Sequence, residues 1–384
     1  MQTSDRQSNI ERRNNPIIFS FFSGSGFLDL GFENEGYEIA FVNEISSSFL
    51  RAYKHSRTKL GFPVPRYGYF NADINDFLNG RKDELSGYVN DAQNKNRLVG
   101  FIGGPPCPDF SVAGKNKGSE GQNGKLSLAY VKLIADILPD FFLFENVKGM
   151  WSTAKHREFY NGLKAILNNA GFSTSEHMCN ALDFGVPQDR ERIFLFGIKY
   201  NLLMDEAVHD SEIVDFPWKA FIKHEANQIK RLPWCKSSTF GEDCKVELNE
   251  VMLPLTVGYW FEKNNVSEHA NSKAHFVPRA GKAKMEMVLE GDVSKKSHKR
   301  LHRFRYSPTA AYGNNEVHLH PTQVRRISAA EAMAVQSMPK EFELPPDMTL
   351  TDMFKTIGNG VPFLLSCGIA KTIKHYLEER VCEN

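Results

Sequence analysis

A single thiol sits in a distinctive setting at Gly103-Gly104-Pro105-Pro106-Cys107-Pro108-Asp109-Phe110-Ser111. Prolines on both sides hold Cys107 on a rigid loop, where a thiol can be partly exposed and act as a nucleophile. A free cysteine more often ends as an inert core residue, but a Gly-Gly-Pro-Pro loop is a poor place to bury one. Further along, Phe144-Glu145-Asn146-Val147 closes an apolar run with a carboxylate, and Pro187-Gln188-Asp189-Arg190-Glu191-Arg192-Ile193-Phe194 carries two guanidiniums. If that segment is extended, Arg190 and Arg192 are expected to point the same way. Thiol, carboxylate and guanidiniums form one site only if the fold brings them together. Taken singly, acids and arginines mostly form surface ion pairs.

A second group of residues suits a cofactor. The turn Phe22-Ser23-Gly24-Ser25-Gly26, with Gly31 after it, lies where an apolar run passes into an amphipathic one. Glycines there let the backbone approach a nucleotide-type ligand closely. Glu44, followed by Ile45, comes about twenty residues on, the place of an acid that accepts hydrogen bonds from ribose hydroxyls. Asp73, in Asn-Ala-Asp-Ile74, can accept from an adenine amino group. Each acid alone is more often structural. The ordered set points to an adenosine-containing cofactor and leaves NAD and S-adenosylmethionine both open, and the Pro-Pro-Cys loop, which has no role in hydride transfer, favours the methyl donor.

These residues need a frame that repeats strand, turn and helix. Pro16 to Phe22, Tyr37 to Asn43, Leu98 to Ile102, Phe141 to Phe144 and Arg192 to Ile198 read as short buried strands. Between them, the stretch from Phe27, Ser46 to His55, Ser127 to Leu138 and His156 to Ala170 read as helices. Such alternation predicts an α/β domain over residues 16–200 with a largely parallel sheet covered on both faces. From about Asn201 the pattern dissolves into mixed segments carrying Trp218, Trp234 and Trp260, so 201–306 is expected to form a smaller irregular domain. Within it Lys295, Lys296, Lys299, Arg300, Arg303 and Arg305 interleave with His298, His302, Phe304 and Tyr306, a composition suited to phosphate contact and base stacking, although a solvated charged face reads the same. Helices are expected again at Ile327 to Gln336 and Pro362 to Leu377, in a segment 307–384 that packs back on the first domain. Residues 1–15 form a polar arm.

The chain has 384 residues, 41% of them hydrophobic and 24% charged, enough to bury a core and too ordered a composition for a disordered chain. Its 47 basic and 46 acidic residues nearly cancel, so net charge is silent about a polyanionic partner. No stretch approaches the ~18 apolar residues of a membrane span, and the N-terminal segment lacks an apolar core of the secretory type, so a cytoplasmic protein is expected. Its six cysteines form no C-x-x-C pair, which argues against a structural zinc site or a disulfide framework.

The series FSGSGFLDLG, NEIS, NADI, GGPPCPDFS, ENV, QDRERIF, RRISAAEAMAVQSMP and GNGVP, in this order, resembles the DNA cytosine-5 methyltransferase family over Pro16–Ile198 and Ser307–Ile373. The resemblance implies a Rossmann-like S-adenosylmethionine-dependent methyltransferase domain with a smaller, irregular target-recognition domain in the uncovered middle. It implies Cys107 as nucleophile, Glu145 at ring nitrogen N3 and the amino group of cytosine, and Arg192 with Arg190 as support for the base and the catalytic loop. For S-adenosyl-L-methionine it implies Phe22 against the adenine, Glu44 at the ribose, Asp73 with Ile74 around the adenine, and Asn359 with Val361 completing the pocket, with Ser23, Gly24, Gly26 and Ile45 also among the residues that bind it. Two positions depart from the pattern. Phe27 replaces a glycine, a bulk expected to crowd the methionine end of the pocket, and Pro108 replaces a glutamine and is expected to stiffen the loop.

The chemistry implied is addition of the Cys107 thiolate to carbon 6, which makes carbon 5 nucleophilic toward the sulfonium methyl. A stacked base is out of reach, so the cytosine must flip out of double-stranded DNA, and the glycine-rich, basic stretch Ser111 to Gly124 suits a lid that closes afterwards. The leading expectation is a site-specific, monomeric DNA methyltransferase paired with a restriction endonuclease in a bacterial cell. RNA cytosine methylation, a DNA-binding regulator with a decayed site, and an NAD-dependent oxidoreductase are the alternatives. The long middle region favours groove readout in DNA, and intact Cys107, Glu145 and Arg192 speak against a decayed site.

Overall fold

The computed structural model describes residues 15–95, 97–106, 122–203, 211–242, 247–278, 281–295, 297–310, 312 and 317–381. Its frame is a seven-stranded sheet built from β1 (Ile17–Phe21), β2 (Glu38–Asn43), β3 (Gly68–Phe70), β4 (Val99–Gly103), β5 (Phe141–Val147), β6 (Phe172–Asn180) and, after a two-residue strand β7 (Gln188–Asp189), β8 (Glu191–Lys199). The order is β3-β2-β1-β4-β5-β8-β6. β1 pairs in parallel with β2 and β4, as do β2 with β3 and β4 with β5, while β8 runs antiparallel to both β5 and β6. Strand order therefore reverses at β1 and β4, and the carboxyl edge at those two strands is where an open sheet of this kind takes its ligand.

Helices cover both faces. Along β1, Ile18 enters one core and Ile17, Phe19 and Phe21 the other, the period of two that a doubly covered strand requires. The first core lies under α1 (Phe27–Asn34), α2 (Ser47–Leu60) and a long C-terminal helix. The opposite core lies under α3 (Ile74–Leu78), α4 (Lys82–Gln93), α5 (Gln122–Ile137), the short α6 (Gly149–Ser152) and α7 (Ala154–Asn169). The last three residues of the expected lid belong to the first turn of α5; its residues 111–121 lie outside the described residues, as do Cys107 and Pro108.

The region after Leu203 has little regular structure: α8 (Ala226–Ile229), α9 (Val257–Lys263), α10 (Lys282–Glu286) and β9 (Ser307–Pro308), which pairs with β7. Its first part is stitched to the sheet. Ile213, Phe216 and Trp218 join the first core, and the Trp218 indole donates to Ser175 on β6 at 2.9 Å. The chain then returns through α11 (Ala329–Val335), α12 (Leu350–Asn359) and α13 (Phe363–Arg380). α11 begins with a full capping box between Ser328 and Glu331. α13 packs along α1, where Gly31 permits close approach: a Cβ there would lie 2.2 Å from the Ser366 hydroxyl. A third core joins Phe27, Leu30, Phe49 and Ala52 to α9, α11 and α12, so the C-terminal segment is part of the frame that holds the glycine turn.

Candidate active site

The site is built at the carboxyl edge of β1, β2, β4 and β5. Strand β1 ends in a turn whose backbone is left-handed three times, at Phe22 (φ 53°), Gly24 (φ 56°) and Gly26 (φ 82°). Glycine adopts this freely, whereas Phe22 stores roughly 1–2 kcal/mol of strain. Its ring, half-buried, meets Tyr130 of α5 edge-on at 6.0 Å. Ser23 is tied to the end of β2 by hydrogen bonds from its amide and its hydroxyl to the Asn43 carbonyl, both 3.2 Å.

Glu44 is buried just past β2. Its carboxylate accepts from the Gly24 amide at 2.9 Å and the Ser46 amide at 2.7 Å. Burial pushes its carboxyl up, opposed by those two bonds and by the charge of Lys355 on α12. Beside it Ile45 is 64% exposed, an apolar side chain with no core to enter. Asp73 caps α3, accepting from the Asn75 amide at 2.9 Å. Ile74, which follows it, has its side chain buried in the core under α3. Asn359 is exposed at the end of α12 and Val361 is buried beyond it, and the Thr356 hydroxyl of the same helix reaches the Ser25 hydroxyl at 2.8 Å. Phe27 is buried as well. Its bulk is taken up by the third core, with its ring 5.1 Å from Phe342 and against Gly360, where a Cβ would lie 2.6 Å away.

The second half of the site forms where β4 and β5 end side by side. Glu145 is 8% exposed, and the Nε of Arg192, on neighbouring β8, lies 3.1 Å from its Oε1. Gly104 makes room for it: a Cβ there would stand 2.7 Å from Glu145 Oε2. Burial raises the Glu145 carboxyl above its ordinary value, with the Arg192 and Arg190 charges pulling the other way. A carboxyl raised in this way keeps its proton to higher pH than an exposed one, which suits a group that must donate it. Gly103, Gly104, Pro105 and Pro106 lead from β4 past this carboxyl, and Cys107 is the next residue. Two of the described thiols, Cys179 and Cys367, are poor nucleophiles, since burial drives Cys179 far up and Cys367 to about 12.

Arg190 does not accompany Arg192. It is fully buried, and its guanidinium donates to the carbonyls of Ala310 at 3.0 Å, Gly358 at 2.9 Å and Gly360 at 2.9 Å. The two guanidiniums have different partners: Arg192 reaches the acid while Arg190 caps the carboxyl end of α12, the segment that leads through Asn359 to Val361. The basic cluster is likewise divided. Arg300 and Arg303 turn inward, Arg300 onto the carbonyls of Met285, Val288, His320 and Gln323 and Arg303 onto buried Glu290 at 3.1 Å, whereas Lys295 stays exposed. Sequence reading missed Gly104, Lys355 and the buried cluster under Gly26. The repeated four-residue spacing of Asp29 with Glu33 and of Tyr53 with Arg57 was the one available sign of that cluster.

A sheet of this order, with a left-handed glycine turn after β1 and an acid after β2, defines a methyltransferase of the S-adenosylmethionine-dependent fold. The family model for C-5 cytosine-specific DNA methylases matches residues 17–375, and the chain belongs to that family: it is a DNA (cytosine-5)-methyltransferase. It is 53% identical over 383 residues to the type II methyltransferase M.NmeDI of Neisseria meningitidis serogroup C, covering 98% of this chain and 89% of that protein. It is 30% identical to the type II methyltransferase M.FnuDI of Fusobacterium nucleatum, covering 94% and 95%. In fold it is similar to the Dnmt2 methyltransferase of S. pombe, with a TM-score of 0.56 at 15% identity over 95% of this chain and 99% of that one.

Proposed function

We propose that the enzyme methylates carbon 5 of a cytosine flipped out of double-stranded DNA at a specific site, using S-adenosyl-L-methionine and a transient bond from Cys107 to carbon 6. We further propose that it works as a cytoplasmic monomer protecting DNA from a partner endonuclease, as the type II names of its relatives suggest. The observation that carries the reading is the buried Glu145 carboxyl, raised in pKa and paired with Arg192, on the strand next to the one that leads into Cys107.

The carboxyl edge of the sheet suits the methyl donor. Glu44 is held by two amides at the height of the glycine turn and faces the ribose, exposed Ile45 and half-buried Phe22 offer apolar surface to adenine, and Asn359 closes the far side. The bound donor supplies an electrophilic sulfonium methyl. The Cys107 thiolate adds to carbon 6, and the ring electrons move toward N3, where the Glu145 carboxyl delivers its proton and Arg192 stabilises the charge at O2. That leaves carbon 5 as an enamine-like nucleophile. After carbon 5 has taken the methyl, water removes its proton, the carbon 5–carbon 6 double bond re-forms as the thiolate leaves carbon 6, and N3 returns its proton to the Glu145 carboxylate. Flipping costs a few kcal/mol, which phosphate contacts from the irregular region offset.

The test is duplex DNA carrying 5-fluorocytosine at the target, found by mapping methylated sites in expressing cells. With the donor present, a covalent complex should form with the wild-type enzyme and not with Cys107→Ser. Labelled methyl should pass to duplex DNA and not to tRNA. A trapped complex with Cys107→Ser, or transfer to tRNA alone, overturns the reading.

A further inference from the structure

Beneath the glycine turn lies a buried polar cluster that the reaction does not use. Arg57 of α2 is 2% exposed and engaged on three sides. Its Nη2 donates to the Gly26 carbonyl at 2.7 Å, its Nε lies 2.7 Å from Glu33 Oε2, and its guanidinium sits 4.3 Å from the centre of the Tyr53 ring. One turn earlier, the Tyr53 hydroxyl donates to Asp29 at 2.9 Å, and Asp29 also accepts from the Ser20 hydroxyl of β1 at 2.9 Å. Tyr53 and Arg57 thus face Asp29 and Glu33 across α1 and α2 as two rungs, each helix using side chains four residues apart.

Stability alone is a weak reason for this cluster, because well-packed apolar groups often replace a buried ion pair without loss. What such a replacement cannot supply is the bond to the Gly26 carbonyl. Gly26 is left-handed and closes the turn as α1 begins, and it is enclosed by the cluster: a Cβ there would lie 2.6 Å from Arg57 Nη2 and 2.7 Å from the Tyr53 ring. The N-terminal end of α2, the helix that carries Arg57, follows directly on Glu44 and Ile45, capped by Ser46. One rigid element therefore carries the acid that accepts from Gly24 and the cation that grips Gly26.

We propose that Arg57, held by Glu33 and Tyr53, is a positioning residue for the methyl-donor pocket, fixing the Gly26 end of the turn so that the Gly24 amide and Glu44 stay in register. The inference rests on the reading of this sheet edge as the donor pocket. A residue with this role governs donor affinity and leaves DNA binding and the chemical step alone.

Calorimetric Kd for S-adenosyl-L-methionine, together with kcat and both KM values, tests this on the full-length wild type, Arg57→Met, Arg57→Lys and Tyr53→Phe. Lys199→Met, which removes the remote Lys199–Asp140 pair, serves as the control for general loss of an ion pair. Loss of a charge-assisted hydrogen bond predicts a donor Kd raised ~10-fold or more in Arg57→Met. Arg57→Lys, which keeps the charge near Glu33, should lie between it and wild type, with kcat at saturating donor and KM for DNA within about twofold throughout. A folded Arg57→Met with wild-type donor affinity overturns the inference, as does a parallel fall in all parameters matched by Lys199→Met. If Arg57→Met does not fold, Arg57→Lys and Tyr53→Phe decide by the same ratio, and unchanged donor affinity in both overturns it. Failure of the wild type to bind the donor would instead defeat the donor-pocket reading itself.

Discussion

At the glycine turn, the chain is held by ladders. β1 is hydrogen-bonded on both sides, and the strained backbone of residues 22–26 is fixed by side chains from helices that the sheet itself positions. Among the described residues from Gly281 to Arg305 there is no ladder beyond isolated bridges, and backbone groups find side chains instead. Arg300 gathers four carbonyls from two separate segments, and buried Glu290 takes the Arg303 amide at 2.8 Å and its guanidinium at 3.1 Å. Both solutions satisfy the rule that buried backbone groups must be paired. They differ in what they leave free. A ladder fixes position to within a fraction of an ångström, which suits a site where a methyl must meet one ring carbon. A clasp of single arginines leaves the intervening chain open to change, which suits a surface that must read a sequence.

The largest effect should fall on the ladder side. Glu145→Gln keeps the shape and removes the proton, and a general acid–base contribution predicts kcat lower by roughly 10²–10³-fold, about 3–4 kcal/mol, with donor Kd unchanged. Single-turnover methyl transfer measures this, and an equal loss of donor binding would erase the separation of the two halves of the site. On the clasp side, Arg300→Met orphans four carbonyls and should lower stability by about 3 kcal/mol. Protease mapping should place the first cuts within 281–305, while donor affinity stays intact. Simultaneous loss of donor binding would show that the two regions fold as one.

Acid should act on the seam between them. His318 and His320 lie where the Arg300 strand of chain meets the C-terminal segment, and burial lowers them to about 3 and about 4, His320 despite Glu331 at 3.4 Å. Both groups are neutral when folded and take up a proton on unfolding at any pH between those values and about 6.5. Stability should therefore fall as pH drops below 6.5, by about 1.4 kcal/mol per pH unit for each histidine. Denaturant melts at pH 7 and 5.5 check this, and His318→Gln with His320→Gln should flatten the slope.

The same contrast explains what could be read in advance. β1, β2, β4 and β5 are apolar runs bounded by turn residues, so they and the residues at their ends, Glu44 and Glu145 included, follow from the pattern. β6, Phe-Ser-Thr-Ser-Glu-His-Met-Cys-Asn, has no such signal because its polar residues pair along an antiparallel edge. The α4 helix buries only Leu85, Val89 and Ala92. The partners of Arg190 lie 120 to 170 residues away in the chain, and no local spacing announces them. Arg300 and Arg303 read as surface charge for the same reason, since inward and outward arginines look alike until the carbonyls that receive them are placed.

The smallest effect isolates a contact from the frame around it. Ile45 is exposed, so Ile45→Ser removes nothing from a core, and its change in unfolding free energy should stay within about 0.5 kcal/mol. If its side chain is the apolar floor of the donor site, burying it on binding contributes about 1 kcal/mol, and the Kd for S-adenosyl-L-methionine should rise roughly fivefold with no change in KM for DNA. Titration of the donor into wild type and Ile45→Ser decides it. An unchanged Kd would mean that Ile45 is not the floor of the donor site, and a raised KM for DNA in the same variant would place this residue on the DNA side instead.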